Sequence, residues 1–230
     1  MDHLHTHIGQ DTLVAENVFL TLGQKEILHG ATIRTVKSSI TALLGRNGAG
    51  KSTLLQSVFG TRSCMDCDVF INGTKTLRPY LCSNLINYLP QQRFLPRTLK
   101  IKNILRQYSL TPSHITTLFP ELAEELDKTP AELAGGTERL LSVLLLLLAP
   151  TRFTLLDEPF SHIMPLYTER LTGLLQHQKQ HKGIVITDHQ YHHILQAADH
   201  IYLMKEGAAI FIKDRNDLVL HGYLSSIAEG

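Results

Sequence analysis

The stretch Gly45-Arg46-Asn47-Gly48-Ala49-Gly50-Lys51-Ser52-Thr53 fits the pattern G-x-x-x-x-G-K-[ST], a glycine-rich loop that wraps the phosphates of a nucleotide. An apolar run over 40–44 precedes it, and a helical pattern over 53–59 follows. Glycines let backbone N–H groups approach phosphate oxygens, and the helix N-terminus adds the positive end of its dipole. We expect Lys51 to reach the β- and γ-phosphates and the Ser52 hydroxyl to bind Mg²⁺. The alternative is a chance match in a glycine-rich turn, and the strand–loop–helix setting argues against it.

Composition bounds the class of protein. The 230 residues, 43% of them hydrophobic, suffice for one large α/β domain with a sizeable core and a small inserted subdomain. The net charge of +1 does not favour nucleic acid as a partner. The longest apolar run, 143–149, is far shorter than the roughly 20 residues that cross a bilayer, and it predicts a helix buried on all sides. We therefore expect a chain that is soluble alone and meets a membrane only through a partner.

Cysteines and histidines leave a metal site open. Cys64, Cys67 and Cys82 are an odd number, and without a recognisable secretory signal they indicate a reducing compartment. The Cys64-x-x-Cys67 pair could bind a metal with Cys82 or a histidine. Ordinary thiols in a surface hairpin are favoured, because a second well-spaced ligand pair is lacking. Three alternating histidines near the N-terminus could also bind a metal, although a frayed polar end is favoured: His3, His5 and His7.

The order of the elements predicts a mainly parallel sheet. Apolar and alternating runs predict strands over 13–20, 26–36, 40–44, 69–71, 85–89, 153–156, 184–186, 201–204 and 208–212. Helices are predicted over 53–59, 136–149, 165–180 and 190–197, with another near the C-terminus. Strands that alternate with helices imply right-handed crossovers. Helical spacing and prolines between 98 and 126 predict a helical insertion. We predict one domain over 1–230, with its core in 1–95 and 136–230 and a helical subdomain at about 96–135.

A second set of chemical groups stands where a predicted strand ends. The apolar run 153–156 is followed directly by Asp157 and Glu158. In a phosphate-loop protein, the first carboxylate at such a strand end holds Mg²⁺, directly or through water. The second can polarise a water for attack on the γ-phosphate. Acids are common at strand ends, but the position about a hundred residues after a phosphate loop makes this pair a strong signal.

These motifs, in this order, resemble those of the ATP-binding-cassette (ABC) ATPases, and the resemblance covers nearly all 230 residues. Asp157-Glu158-Pro159 matches the metal aspartate and catalytic glutamate of that family. Leu133-Ala134-Gly135-Gly136-Thr137 stands where the family has its LSGGQ signature. Tyr88-Leu89-Pro90-Gln91 is similar to the loop whose glutamine senses Mg²⁺ and the attacking water. Ile184-Val185-Ile186-Thr187-Asp188-His189 is similar to the switch segment, which ends in the γ-phosphate histidine.

Two of these assignments have alternatives. Gln92 lies beside Gln91, and the position directly after Pro90 favours Gln91 as the sensor. His189 could be a capping histidine. The resemblance implies that the catalytic residues are Glu158, His189 and Gln91, and that the metal ligands are Ser52, Gln91 and Asp157. It implies that the nucleotide-binding residues are Gly45, Arg46, Asn47, Gly48, Ala49, Gly50, Lys51, Ser52, Thr53, Leu22, Ala134, Gly135 and Gly136.

The resemblance implies a P-loop NTPase of the ABC type, with a mainly parallel sheet, an antiparallel β subdomain and a small helical subdomain. In that family two cassettes form a dimer, and each ATP lies between the Lys51 loop of one subunit and the Gly135-Gly136 loop of the other. The chain is then an ATP-hydrolysing subunit of an ABC transporter that requires ATP and Mg²⁺. Its expected partners are a second copy or related cassette and transmembrane permease subunits, at the cytoplasmic face of the membrane. The alternatives are a soluble non-transport ABC ATPase and a low-turnover regulatory module.

Four positions depart from the family pattern. Ala134 replaces the signature serine and removes a hydroxyl donor to the γ-phosphate, and Thr137 replaces a glutamine. Met164 stands where the loop after Pro159 normally ends in aspartate, a loop that links the two sites. Leu22 stands where an aromatic ring normally stacks on adenine, although Phe19 is nearby, so the preference for ATP over GTP is open. Because the groups that perform the chemistry are retained, we expect a working ATPase with an unusual interface.

Overall fold

The computed structural model describes residues 11–188 and 191–224, and it contains two β-sheets flanked by helices. The predictions for His3, His5, His7 and His189 lie outside the described residues. The strands are β1 (Thr12–Leu22), β2 (Lys25–Val36), β3 (Ile40–Gly45), β4 (Asp66–Ile71), β5 (Thr74–Lys75), β6 (Ile86–Leu89), β7 (Phe153–Asp157), β8 (Gly183–Thr187), β9 (His200–Lys205) and β10 (Ala208–Ile212). The helices are α1 (Lys51–Phe59), α2 (Ile101–Gln107), α3 (Pro112–Thr116), α4 (Gly135–Leu148), α5 (Pro165–Gln178), α6 (Tyr191–Ala197) and α7 (Arg215–Leu220).

The larger sheet has the order β10-β9-β3-β8-β7-β6. Every pair from β6 to β9 is parallel, and β10 runs antiparallel to β9 at the edge. All residues of β3, β7 and β8 are buried, as expected of central strands covered on both faces. The carboxyl ends of β3, β6, β7 and β8 therefore meet at one edge of the sheet, where ligands bind in open α/β folds.

The smaller sheet is antiparallel, with the order β2-β1-β4-β5. Its apolar face packs with α1 in one core cluster, which includes Leu28, Val69 and Leu54. A second cluster joins α2, α4 and α5 to the other face of the larger sheet. The predictions of a mainly parallel sheet and an antiparallel β subdomain are confirmed.

Helix α4 is the most deeply buried helix segment of the fold. All ten residues from Glu138 to Leu147 are buried, which agrees with the helix predicted from the apolar run 143–149. The helix begins at Gly135, within the predicted signature, and its C-terminal end approaches the start of β8. No described helix is both long and apolar enough to cross a bilayer.

The segment between β6 and α4 is less regularly helical than its apolar spacing predicts. Two short α-helices, α2 and α3, are followed by 3₁₀ segments at Pro120–Asp127 and Pro130–Glu132. The prolines at 112, 120 and 130 each stand in the first turn of a segment, where the missing N–H is not needed. Because each of these prolines begins a new helical segment, the segments stay short. The division of the domain near residues 96 and 135 stays a prediction.

Candidate functional site

The glycine-rich loop connects β3 to α1 and adopts backbone conformations that favour glycine. Gly45, Gly48 and Gly50 have φ angles of 150°, 77° and 99°. A Cβ atom on Gly45 would lie 2.9 Å from both the Cβ and the carbonyl oxygen of Met204, so a side chain does not fit there. The backbone of the loop therefore depends on glycine at these positions, as expected of a loop whose N–H groups approach phosphate oxygens.

Lys51 begins α1, and its ammonium group folds back across the loop. The Nζ atom donates to the carbonyl oxygens of Gly45 at 2.8 Å and of Arg46 at 3.2 Å. Burial lowers the pKa of Lys51, and the negative charges of Glu158 and Asp157 act in the opposite direction. Asp188 contributes a smaller effect of the same sign on this pKa. The phosphate loop thus lies in the field of the carboxylates at the carboxyl ends of β7 and β8.

Asp157 is the last residue of β7 and is fully buried. Its Oδ1 accepts a hydrogen bond from the Thr187 hydroxyl at 2.7 Å, and its Oδ2 accepts one from the Tyr88 hydroxyl at 3.1 Å. Burial, and after it the charge of Asp157, raises the pKa of Tyr88, so that this phenol is a hydrogen-bond donor. The carboxylate is held in one orientation by groups from β6 and β8, the two neighbours of its strand.

Glu158 follows in a strained backbone conformation, with a φ angle of 52°. Its N–H is held by the carbonyl oxygen and the hydroxyl of Thr187, at 2.9 and 3.1 Å. Its side chain accepts from Gln91 Nε2 at 3.0 Å and from Ser161 Oγ at 3.3 Å through Oε2. Left-handed conformations of bulky residues cost about 1–3 kcal/mol and concentrate at functional sites. The structure brings Gln91 to the glutamate that was predicted to be catalytic, which supports Gln91 over Gln92.

The predicted signature forms the N-terminus of α4. Ala134 is the N-cap residue, with φ and ψ angles of −62° and 145° and no side-chain cap. A Cβ atom on Gly136 would lie 2.6 Å from the carbonyl oxygen of His162, so the loop after Pro159 packs closely against this turn. Arg93 covers the same turn, with a guanidinium nitrogen 3.1 Å from the position of a Cβ on Gly135.

Two of the predicted contact residues lie at the surface. Leu22, at the end of β1, exposes 46% of its surface, and Met164 exposes 54%. Phe19, the other candidate for base stacking, packs edge-to-face on His29 with ring centroids 5.7 Å apart. Exposure of this kind suits Leu22 as a contact for a base and Met164 as a contact for a partner, and both roles stay predictions. Asp188, the residue before the predicted γ-phosphate histidine, is buried and accepts from the Phe160 N–H at 3.0 Å.

Arg139 was not recognised from the sequence, and it joins three parts of the site. Its guanidinium donates to the carbonyl oxygens of Pro90 at 2.6 Å and of Glu158 at 2.9 Å, and also to that of Asp157. An arginine that directly precedes the long apolar part of a predicted helix is the signal that could have identified it. Thr187 was included in the switch segment, but its bond to Asp157 was not anticipated.

The groups at this edge suit a hard cation. The predicted ligands Ser52, Gln91 and Asp157 offer a hydroxyl, an amide and a carboxylate oxygen, which are the donors that Mg²⁺ prefers. Asp157 is already oriented by two donors. Cys64, which precedes β4, and Cys67, within β4, are half-buried, whereas Cys82 is exposed. Among the side chains that the structure describes, no group of three or more histidine, cysteine or acidic residues is arranged to hold a metal.

The fold and the phosphate loop together define a P-loop nucleotide-binding protein. The family model described as "ABC transporter" matches residues 28–161, more than half of the chain, and the protein belongs to this family. The chain is 29% identical over 231 aligned positions to the probable branched-chain amino acid transport ATP-binding protein LivF of Archaeoglobus fulgidus, covering 93% of this chain and 97% of the relative. It is 28% identical over 213 positions to the lipopolysaccharide export system ATP-binding protein LptB of Haemophilus influenzae, covering 86% and 88%.

Solved structures share the fold. An ATP-binding subunit of an ABC transporter superposes with a TM-score of 0.79 at 21% identity, over 93% of this chain and 95% of that one. A bacterial Atm1-family ABC exporter with ATP bound superposes with a TM-score of 0.80 at 18% identity, over 94% of this chain and 41% of the exporter. The predicted family and fold class are confirmed, and the roles of the individual site residues stay predictions.

Proposed function

We propose that this protein is the ATP-binding and ATP-hydrolysing subunit of an ABC transporter, in which Mg-ATP closes a dimer of cassettes and drives movement of a substrate by membrane subunits. The observation that carries the proposal is the hydrogen bond between Gln91 and Glu158, beside Asp157 and in the field of Lys51. Membership of the ABC transporter family supports it.

Each described group has a role that its position supports, and the role of His189 rests on its place in the sequence. Lys51 and the loop 45–50 bind the β- and γ-phosphates. The backbone N–H groups of the loop and the positive end of the α1 dipole add to this binding. Ser52 and Asp157 would hold Mg²⁺, which would neutralise charge that develops on the phosphates. Glu158 orients and polarises the attacking water, and its bond to Gln91 fixes the direction of its carboxylate. His189 is proposed as the γ-phosphate contact from the switch segment.

The nucleotide site is completed by a second subunit. The glycines at the start of α4 present N–H groups, and the Met164 side chain is exposed at the end of the adjacent loop. A two-fold dimer places this surface opposite the Lys51 loop of the other copy, twice. ATP stabilises the closed dimer because it makes contacts to both subunits only in that state. Hydrolysis removes these contacts, and the dimer opens.

Transport requires membrane partners at the cytoplasmic face. The relatives are named for branched-chain amino acid transport, lipopolysaccharide export, phosphate import and aliphatic sulfonate import. Because proteins with similar cassettes are named for such different substrates, we infer that membrane subunits select the substrate. The partners are therefore proposed only as transmembrane permease subunits.

Steady-state phosphate release with Mg-ATP tests the proposal, with the wild type compared to Lys51→Ala. We expect release by the wild type and its loss in the variant. Lys75→Ala removes an exposed ion pair with Asp68 and is the matched control, which should keep the wild-type rate. Co-purification with a polytopic membrane protein tests the transport role. Phosphate release by a protein that never co-purifies with a polytopic membrane protein would favour a soluble ABC ATPase instead.

A low-turnover regulatory module is the second candidate, favoured by Ala134 and the exposed Met164. It predicts that ATP binds and closes the dimer without appreciable phosphate release. Equal phosphate release by wild type and Lys51→Ala, combined with nucleotide-dependent dimerisation, would support this candidate and contradict the hydrolytic proposal.

A further inference from the structure

Arg139 lies one turn inside α4, and its guanidinium is surrounded by backbone carbonyl groups from two other elements. It reaches Pro90, in the segment that leads to Gln91, and the last residues of β7, Asp157 and Glu158. Only 9% of the residue is exposed. One side chain therefore connects the helix that begins with Gly135-Gly136 to both residues of the Gln91–Glu158 pair.

The contacts of Arg139 are directed at main-chain atoms rather than at carboxylates. Carbonyl oxygens of Asp157 and Glu158 accept from one nitrogen, and the carbonyl of Pro90 accepts from the other. The planar fork of a guanidinium fits such a set of fixed acceptors, and a lysine ammonium does not reproduce it. The guanidinium thus fixes the backbone at Gln91 and Glu158, and these three hydrogen bonds do not involve the side chains of those two residues.

The arrangement is also costly for the fold. The buried Nε of Arg139 has no hydrogen-bond partner among the residues that the structure describes. Burial lowers the pKa of Arg139, because removal from water disfavours its charge. A buried polar group that is left unsatisfied destabilises a protein, and such violations are expected at functional sites.

We propose that Arg139 is a positioning residue for ATP hydrolysis, which holds Gln91 and Glu158 in register with α4. A shift of the signature turn in the dimer would then reach both residues through one side chain. The inference rests on the proposed function, since it assigns a role within the same hydrolytic site. It predicts that loss of the guanidinium slows turnover and leaves nucleotide binding to the Lys51 loop intact.

Lys182 provides a matched control at the other end of the same helix. It is 2% exposed, and its Nζ donates to the carbonyl oxygens of Leu147 at 2.9 Å and Ala149 at 2.6 Å. Both cations are buried and bind backbone carbonyls next to α4. Only Arg139 is close to the Gln91–Glu158 pair, so a purely structural role predicts similar effects for the two sites.

The experiment compares Arg139→Gln, Arg139→Lys and Lys182→Met for phosphate release and for affinity to a fluorescent ATP analogue. We expect Arg139→Gln to lower kcat about 30-fold or more with KM changed by less than about threefold, since small displacements of catalytic groups cost up to about 100-fold in rate. Arg139→Lys should recover part of the loss, and Lys182→Met should lower thermal stability with kcat within about twofold of wild type. Equal kcat losses in Arg139→Gln and Lys182→Met, or an unchanged kcat in Arg139→Gln, would overturn the inference.

Amide hydrogen exchange tests the inference without turnover. In Arg139→Gln, the segments 88–92 and 157–160 should exchange faster together, and in Lys182→Met faster exchange should be limited to the end of α4 and the residues after it. Continued protection of both segments in Arg139→Gln would overturn the inference. If the wild type itself releases no phosphate above Lys51→Ala, the proposed function fails, and the exchange measurement still decides whether Arg139 holds the two segments.

Discussion

Gln91 donates a hydrogen bond from Nε2 to Glu158 Oε2 over 3.0 Å, across the gap between the ends of two neighbouring strands. The register explains the contact, because Leu89 of β6 pairs with Leu156 of β7. Gln91 lies two positions after Leu89, and Glu158 lies two positions after Leu156. The parallel pairing thus places a carboxamide opposite a carboxylate at the edge of the sheet that faces the phosphate loop.

Replacement of Glu158 by Gln should stop hydrolysis and retain nucleotide binding. The change removes the carboxylate that polarises water, and we expect phosphate release to fall by about 100-fold or more. Uncleaved ATP should then accumulate in a closed dimer, detectable by light scattering in ATP and Mg²⁺. Glu169→Gln, at an exposed position of α5, is the control and should behave as the wild type. A monomer in ATP and Mg²⁺ would contradict the dimer.

The functional groups at the strand ends can be predicted from the sequence, because each of them directly follows its strand in the chain. The phosphate loop and the Asp157-Glu158 pair each follow a short apolar run, and parallel strands bring such ends to one edge. The bonds from Thr187 to Asp157 and from Arg139 to three carbonyls depend on the packing of distant elements. The 3₁₀ segment Pro120–Asp127 was also missed, because its apolar spacing does not separate it from an α-helix.

Removal of the Thr187 hydroxyl should weaken the binding of Mg²⁺ at Asp157. In Thr187→Val, Asp157 loses its 2.7 Å donor and keeps the 3.1 Å bond from the Tyr88 hydroxyl, so its carboxylate is held less firmly. We expect the Mg²⁺ concentration for half-maximal hydrolysis to rise several-fold, and the free energy of unfolding to fall by about 1–2 kcal/mol because a buried acceptor is left unpaired. A magnesium titration and denaturant unfolding measure the two effects. Thr187→Ser keeps the hydroxyl and should restore both, and an unchanged magnesium response in Thr187→Val would contradict the role.

Ala134→Ser should strengthen both the fold and the dimer. Ala134 has an extended N-cap conformation in which a serine hydroxyl could accept from an N–H in the first turn of α4, worth about 0.5–2 kcal/mol. In the closed dimer the hydroxyl could instead donate to the γ-phosphate, which corresponds to about a 2- to 12-fold gain for each of the two nucleotide sites in ATP-dependent dimerisation. Unfolding without nucleotide and sedimentation with ATP and Mg²⁺ separate the two. Ala134→Gly lacks the hydroxyl, and an equal gain in that variant would show that the hydroxyl is not responsible.

Leu22→Tyr should tighten nucleotide binding if this residue covers the base. Leu22 is 46% exposed, and an aromatic ring there would add a stacking contact of about 0.5–1.5 kcal/mol. The affinities for ATP and GTP, measured by titration calorimetry, should both rise, whereas affinity for inorganic triphosphate should not. Leu77→Tyr, at a position that is 81% exposed, is the matched control and should change none of the three. A gain for triphosphate alone would exclude contact with the base.

The fold should become more stable as pH rises, because the buried ammonium of Lys182 loses its proton more readily than the exposed one of the unfolded chain. Burial lowers its pKa from 10.5 to about 8. Between these values the unfolded chain binds more protons than the folded one, so the free energy of unfolding increases with pH. The full interval corresponds to about 3 kcal/mol. Below about pH 8 the lysine is charged in both states, and its contribution no longer changes with pH.

Lys182→Met isolates this contribution from the other groups that titrate in the same range. Denaturant unfolding of both proteins between about pH 7 and pH 10.5 should give a stability difference that moves in favour of the wild type as pH rises. The carbonyl contacts at the end of α4 remain available to the neutral amine, which still has two hydrogens to donate. A difference independent of pH would mean that Lys182 keeps its ordinary pKa in the folded protein, with the carbonyl oxygens of Leu147 and Ala149 stabilising the charge enough to offset its burial.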